Sequence, residues 1–230
     1  TAGTTNTGAA DPLEAIADIC EQHDMWLHVD GAYGAPAAIT QTGRDVLKGL
    51  ERADSVVLDP HKWFFQPYDL GMCFVTRPGA LDRCFSMDPE YLKDVQADNE
   101  VNYGNRSLEL TRRSRALKLW MSLRTYGAAS FRAGVADGIA LAEEAERQLR
   151  AAPETWEVLS PAQLGIVCFA LNGADAADHA KRAKRLSESG FATVSTTSLH
   201  GRPALRLCTI NPLTTVKDIQ LTLEHLAAPM

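Results

Sequence analysis

Apolar residues along the chain switch between two periods. Leu13, Ile16, Ala17 and Cys20 recur every third or fourth position, the spacing that lines one face of a helix. Asp11-Pro12-Leu13-Glu14 just ahead predicts where that helix begins. It offers an acid able to cap, a proline suited to the first turn and a glutamate placed to complete a capping box. Met25 to Val29 is a short apolar run ending at Asp30, with strand character. Ser55 to Leu58 is a second, ending at Asp59-Pro60-His61-Lys62, and Gly71 to Thr76 is a third. Arg44 to Arg52 reads as a helix between the first two runs. Helices alternating with short apolar strands predict βαβ units and a mostly parallel sheet.

Phe85 to Leu110 breaks the pattern. It is polar, with Asp94, Asp98, Asn99, Glu100, Asn102, Gly104 and Asn105 among few apolar anchors, the mark of a long functional loop or a disordered one. Leu117, Trp120 and Met121 then mark a helix, and Phe131, Val135, Ile139, Ala142 and Leu149 a longer amphipathic one. In the last third, Trp156–Ser160, Gly165–Leu171, Ala192–Thr197 and Ala204–Ile210 read as strands, with a turn at Gly201-Arg202-Pro203. Asp175–Ser189 and Thr215–Leu226 read as helices. The succession predicts an α/β body followed by a small α+β domain beginning near residue 127. Trp26 and Trp120 read as core aromatics. No internal repeat or low-complexity tract is present.

Composition narrows the classes. The 230 residues are 45% hydrophobic and 23% charged, as in ordinary globular proteins. The longest apolar run, Ile166 to Leu171, is far short of the about 20 residues a membrane-spanning helix needs, so no membrane partner is expected. A net charge of −6 weighs against nucleic acid as a partner. Cys20, Cys73, Cys84, Cys168 and Cys208 are scattered without a CxxC pair and read as thiols of a reducing cytosol, hence a cytoplasmic protein. His23, His179, His200 and His225 have no metal-ligand spacing, and no metal is expected. The chain opens on Thr1 and runs at once into what resembles a strand end, which predicts a fragment of something longer, or one chain of a cleaved or split protein.

Ligands of open α/β sheets bind beyond the carboxyl ends of the strands. Two such ends carry polar groups: His28-Val29-Asp30-Gly31-Ala32-Tyr33-Gly34 and Asp59-Pro60-His61-Lys62-Trp63. Singly, an acid at a strand end serves as a cap or loop anchor, and a lysine as a solvated surface group. Together, with Gly31 and Gly34 allowing close backbone approach, they offer a carboxylate and an amine to one crevice. That pair is what pyridoxal 5'-phosphate (PLP) requires: an amine for a Schiff base and an acid to hold the pyridine nitrogen protonated. The basic run Arg112, Arg113, Arg115 and Lys118 reads as the solvated face of a helix, not a phosphate site. Arg206, in an apolar strand, reads as structural.

The motifs GTTNTG, WLHVDGAYG, ADSVVLDPHKW, DPEYLK, RRSRALKLW and GIVCFAL together resemble the group II PLP-dependent amino-acid decarboxylases, nearest the aromatic-L-amino-acid branch. The resemblance spans essentially the whole chain. It implies the fold-type I, aspartate-aminotransferase-like α/β fold: the second half of a large parallel-sheet domain (1–84), a mobile catalytic loop (85–111), a connecting helix (112–126) and a small α+β domain (127–230). It implies that Lys62 is the Schiff-base lysine, Asp30 the partner of the pyridine nitrogen, Ala32 a contact on the ring face and Thr5 a neighbour of the ring substituents. His61 would lie beside the phosphate or the reacting centre; read without the motif, it is a capping imidazole. Tyr103 resembles the loop tyrosine that protonates the α-carbon after CO2 leaves, closing over the neighbouring subunit of a homodimer. Some relatives with phenylalanine there act as oxidative aldehyde synthases, so by this resemblance Tyr103 favours simple decarboxylation of an L-amino acid. Glutamate- or diaminobutyrate-type decarboxylase, aldehyde synthase, transaminase and non-catalytic fragment remain as alternatives. The resemblance also implies an N-terminal half, in the same or a separate chain, carrying the phosphate loop and a stacking histidine.

Overall fold

The computed structural model describes residues 1–86 and 101–229. The DPEYLK motif and Asp94, Asp98, Asn99 and Glu100 lie outside the described residues. Helix α1 (Leu13–Gln22) buries Leu13, Ala17 and Cys20, the stripe its periodicity predicts. Its start differs from expectation: Pro12 is the N-cap and no side chain caps the helix.

Strand β1 (His28–Asp30) leads through a 3-10 turn (Ala35–Ile39) to α2 (Gln41–Val46) and a second 3-10 turn (Leu50–Arg52), then to β2 (Ser55–Leu58). The helix expected over residues 44–52 is thus two pieces, broken at Gly49, whose φ of 95° is left-handed. Asp30 pairs with Val57 in the parallel β1–β2 ladder. After α3 (Pro60–Trp63), β3 (Met72–Val75) runs antiparallel to β2, so the described three-stranded sheet is mixed. The 59–71 connection holds only one helical turn, without the covering helix of a parallel crossover.

Beyond α4 (Ala80–Phe85), α5 (Ala116–Ala151) is kinked at Gly127, whose φ of 78° and ψ of 152° no helix contains. Strands β4 (Trp156–Gln163), β5 (Ile166–Leu171), β6 (Ser195–Leu199) and β7 (Arg202–Cys208) form an antiparallel sheet ordered β4-β5-β7-β6. Helices α6 (Ala176–Glu188) and α7 (Val216–Ala227) each begin with a capping box, Asp175 with Asp178 and Thr215 with Asp218. No described helix is long and apolar enough to cross a membrane.

Strand β5 joins two cores because strand side chains alternate between faces. Ile166 and Cys168 enter the core that holds Val29, Trp63, Val135 and Ile139. Val167 and Phe169 enter the other, with Leu149, Trp156, Leu205 and Ile219. Burial on both faces explains the unbroken apolar run. Trp63 is fully buried, stacked on Tyr33 with ring centroids 5.3 Å apart, and lies against the backbones of Gly138 and Gly165. Trp26 and Trp120, expected in the core, are 45% and 59% exposed. Trp26 gives its indole N–H to Ser55 Oγ at 2.9 Å, and Arg77 lies over its ring. A polar partner and a stacked cation make a solvated edge favourable for this residue.

Candidate active site

The two polar strand ends meet. Gly31 N–H donates to Val57 O at 3.0 Å and Asp59 N–H to Ala32 O at 3.1 Å, so the loop after β1 is bonded to the turn after β2. The Asp30 carboxylate is exposed at the strand end, where its Oδ1 accepts from Ala32 N–H at 3.0 Å. Gly31 and Gly34 are closely packed within the chain itself. A Cβ on Gly31 would lie 2.5 Å from Ala35 Cβ, and one on Gly34 would lie 2.2 Å from Ala2 O. Both glycines make room for this chain's own residues.

In α3, Trp63 is buried while Lys62 before it is 39% exposed. Burial of the indole therefore orients the turn and leaves the amine reachable. Lys62 Nζ sits 2.9 Å from Asp59 Oδ2. His61 Nε2 is 3.8 Å from the same oxygen, and its Nδ1 faces the main chain of Leu70, 2.7 Å from O and 3.1 Å from N. An edge-to-face contact with Tyr68, centroids 4.9 Å apart, fixes the other side of the imidazole. Asp59 was not among the residues the sequence picked out, although it stands three positions before the lysine in the same motif.

Thr5 is exposed in the tight turn after Thr4, and its carbonyl accepts from Arg206 Nε at 2.8 Å. Arg206 thus ties β7 to the N-terminal turn, a structural contact. Tyr103 opens a short 3-10 helix (Tyr103–Arg106), is 65% exposed and has the Arg112 guanidinium 5.9 Å from its ring centre. Arg106 pairs with Asp82 at 3.1 Å, anchoring the Tyr103 segment on α4. The basic run is not a merely solvated face. Arg113 and Arg115 converge on Asp69 at 3.0 and 3.2 Å, and Lys118 Nζ donates to the carbonyls of Pro67 and Asp69 at 3.0 and 2.8 Å. The 67–69 loop presents a carboxylate and carbonyls to this helix start, and the cations pair with them at the surface. Among the described residues no group of His, Cys, Asp and Glu could hold a metal ion.

This α/β layer with its antiparallel sheet unit matches the C-terminal region of fold-type I PLP-dependent decarboxylases, as its solved neighbours show. Residues 1–172 match the family described as pyridoxal-dependent decarboxylase conserved domain. The chain belongs to that family. It is 46% identical over 227 residues to the aromatic-L-amino-acid decarboxylase of Bacillus atrophaeus, covering 95% of this chain and 47% of that protein. It is 35% identical to the phenylacetaldehyde synthase of Arabidopsis thaliana over 95% of this chain and 46% of the relative. The structure of the Oryza sativa enzyme TDC with PLP and tryptamine superposes with a TM-score of 0.86 at 30% identity, over 97% of this chain and 48% of the other. The chain spans about half the length of the curated relatives it matches.

Proposed function

We propose that this chain supplies the lysine-bearing half of a PLP-dependent L-amino-acid decarboxylase acting on an aromatic substrate. The hydrogen-bonded junction between the Asp30 loop and the Lys62 turn carries the reading, since it puts an exposed carboxylate and a reachable amine at adjoining strand ends. The donor set fits PLP: an amine to bond its aldehyde, an acid for its pyridine nitrogen and small Ala32 between them. When bound, PLP takes up the electron pair left at the substrate α-carbon as the bond to CO2 breaks.

Lys62 Nζ, oriented by Asp59, would hold the cofactor. Asp30 would face the ring nitrogen and favour its protonated form. His61, fixed by Leu70, borders the reacting end, and Thr5 and Ala32 border the ring. Tyr103 carries on its phenol oxygen the proton that the α-carbon receives after CO2 has gone. Its exposure suits a homodimer in which it serves the neighbouring subunit, while the segment that relatives carry in their other half completes the phosphate site. Five free thiols suit the reducing cytoplasm.

Mixing the complete enzyme, both halves present, with PLP is expected to give a visible absorption band that Lys62→Ala abolishes; an unchanged band in that variant refutes the lysine assignment. With L-tryptophan as probe, the expected products are tryptamine and CO2. Aldehyde, ammonia and peroxide would favour the synthase reading, which the likeness to phenylacetaldehyde synthase keeps in view. Tyr103→Phe should suppress amine release and leave the band intact; an unaltered amine yield removes the tyrosine from this role.

A further inference from the structure

The residues that follow Lys62 are gripped unusually well for a surface loop. Asp69 receives two bonds from Arg113 Nη2, at 3.0 and 3.1 Å, and one from Arg115 Nε at 3.2 Å. Lys118 binds the carbonyls on both sides of Tyr68, and Ser122 Oγ donates to Gln66 Oε1 at 3.2 Å. All four gripping residues stand on or just before the first turns of α5. Its own main-chain N–H, and after it the positive charges of Arg113 and Arg115, hold the Asp69 carboxyl below the usual carboxylate range against the opposing effect of desolvation.

The next residue, Leu70, is buried and presents both its N–H and its C=O to His61 Nδ1. Which one is engaged depends on whether that nitrogen carries the proton. A shift of the loop by a few tenths of an ångström would exchange one bond for the other, and with it the tautomer beside Lys62. Arg115 also reaches Glu109 Oε2 at 3.3 Å, on the segment that carries Tyr103.

We propose that Asp69, its carboxylate held by Arg113 and Arg115 and its carbonyl by Lys118, is a positioning residue that sets the proton location on His61 and, through the Asp59 oxygen that lies 3.8 Å from His61 Nε2 and 2.9 Å from Lys62 Nζ, the orientation of Lys62. The inference rests on the lysine assignment made above. Exposed ion pairs contribute little to stability, so the arrangement acts on geometry more than on folding.

The test uses the full enzyme stripped of PLP and mixed with fresh PLP. In Asp69→Ala the visible band is expected to grow about tenfold more slowly, and its absorbance–pH profile to move along the pH axis, while Tm falls by only a few degrees. Arg115→Ala should show the same slowing, Arg115→Lys should restore part of it, and the double variant with Asp69→Ala should be no slower than either single one, as expected of residues acting by one route. Asp69→Asn, which keeps the shape and removes the charge, provides the same readouts if the alanine variant folds poorly. Wild-type capture rate and pH profile in both Asp69 variants, or additive losses in the double variant, would overturn the proposal. A band that survives Lys62→Ala would instead overturn the lysine assignment, so the two failures are distinguishable.

Discussion

Trp63→Ala tests whether the lysine turn is anchored by the residue that follows it. The indole is fully buried, stacked on Tyr33 and closed over by the main chain at Gly138 and Gly165. Those neighbours belong to a shared core with Val29, Val135 and Ile166, so they cannot collapse into the space without moving both sheets. Truncation of a buried tryptophan costs about 3–5 kcal/mol when the site relaxes little. In a chain of this size each kcal/mol lowers Tm by about 2–4 °C, so a fall of about 6–20 °C is expected. Trp120→Ala is the internal control: the same residue type, 59% exposed, should change stability by no more than about 0.5 kcal/mol. Urea unfolding followed by far-ultraviolet circular dichroism measures both, with the midpoint shifting and the slope preserved. A loss below about 1 kcal/mol for Trp63→Ala, or equal losses at the two tryptophans, would refute the anchoring argument.

Gly34→Ala should leave little folded protein at 37 °C, because the added Cβ would lie 2.2 Å from the Ala2 carbonyl, a backbone atom that cannot rotate away; a thermal melt matching the parent would sink this. His179 is buried, its Nε2 accepts from Leu171 N–H at 3.1 Å, and desolvation lowers its pKa, with Arg182 adding to the effect and Asp178 and Asp175 opposing it. The unfolded chain therefore binds the proton more readily than the folded one. The stability His179 contributes is present above about pH 6.5 and falls as acid is added until its lower folded pKa is passed. The urea midpoint should thus drop from pH 7 to pH 5.5 by less in His179→Gln than in the parent, and an identical drop in both would count against it. Burial pushes the Cys168 thiol up to about 11. At pH 8 an aromatic disulfide reagent should label exposed Cys84 quickly and Cys168 only after denaturation; comparable native rates, read by peptide mass spectrometry, would contradict the burial.

Local order could be read from the chain because local forces set it. The stripe Leu13, Ala17 and Cys20 lies where helical spacing puts it, Ser55 to Leu58 is a strand at those very residues, and Asp175 caps α6 where its helix was expected to start. The two chemical motifs were legible for the same reason, since each is a short run at the end of one strand. Contacts between distant parts of the chain were not legible. The basic run after Thr111 looks solvated until the 67–70 loop turns back onto it. Trp26 and Trp120 are as apolar on paper as Trp63, and only Trp63 meets the gaps left by Gly138 and Gly165. Asp59 became the partner of Lys62 when α3 wound through a single turn and brought positions three apart together. Periodicity and capping act over a few residues and are written in order along the chain. Burial and charge pairing depend on which distant surfaces are brought together, so they exist only once the chain has folded.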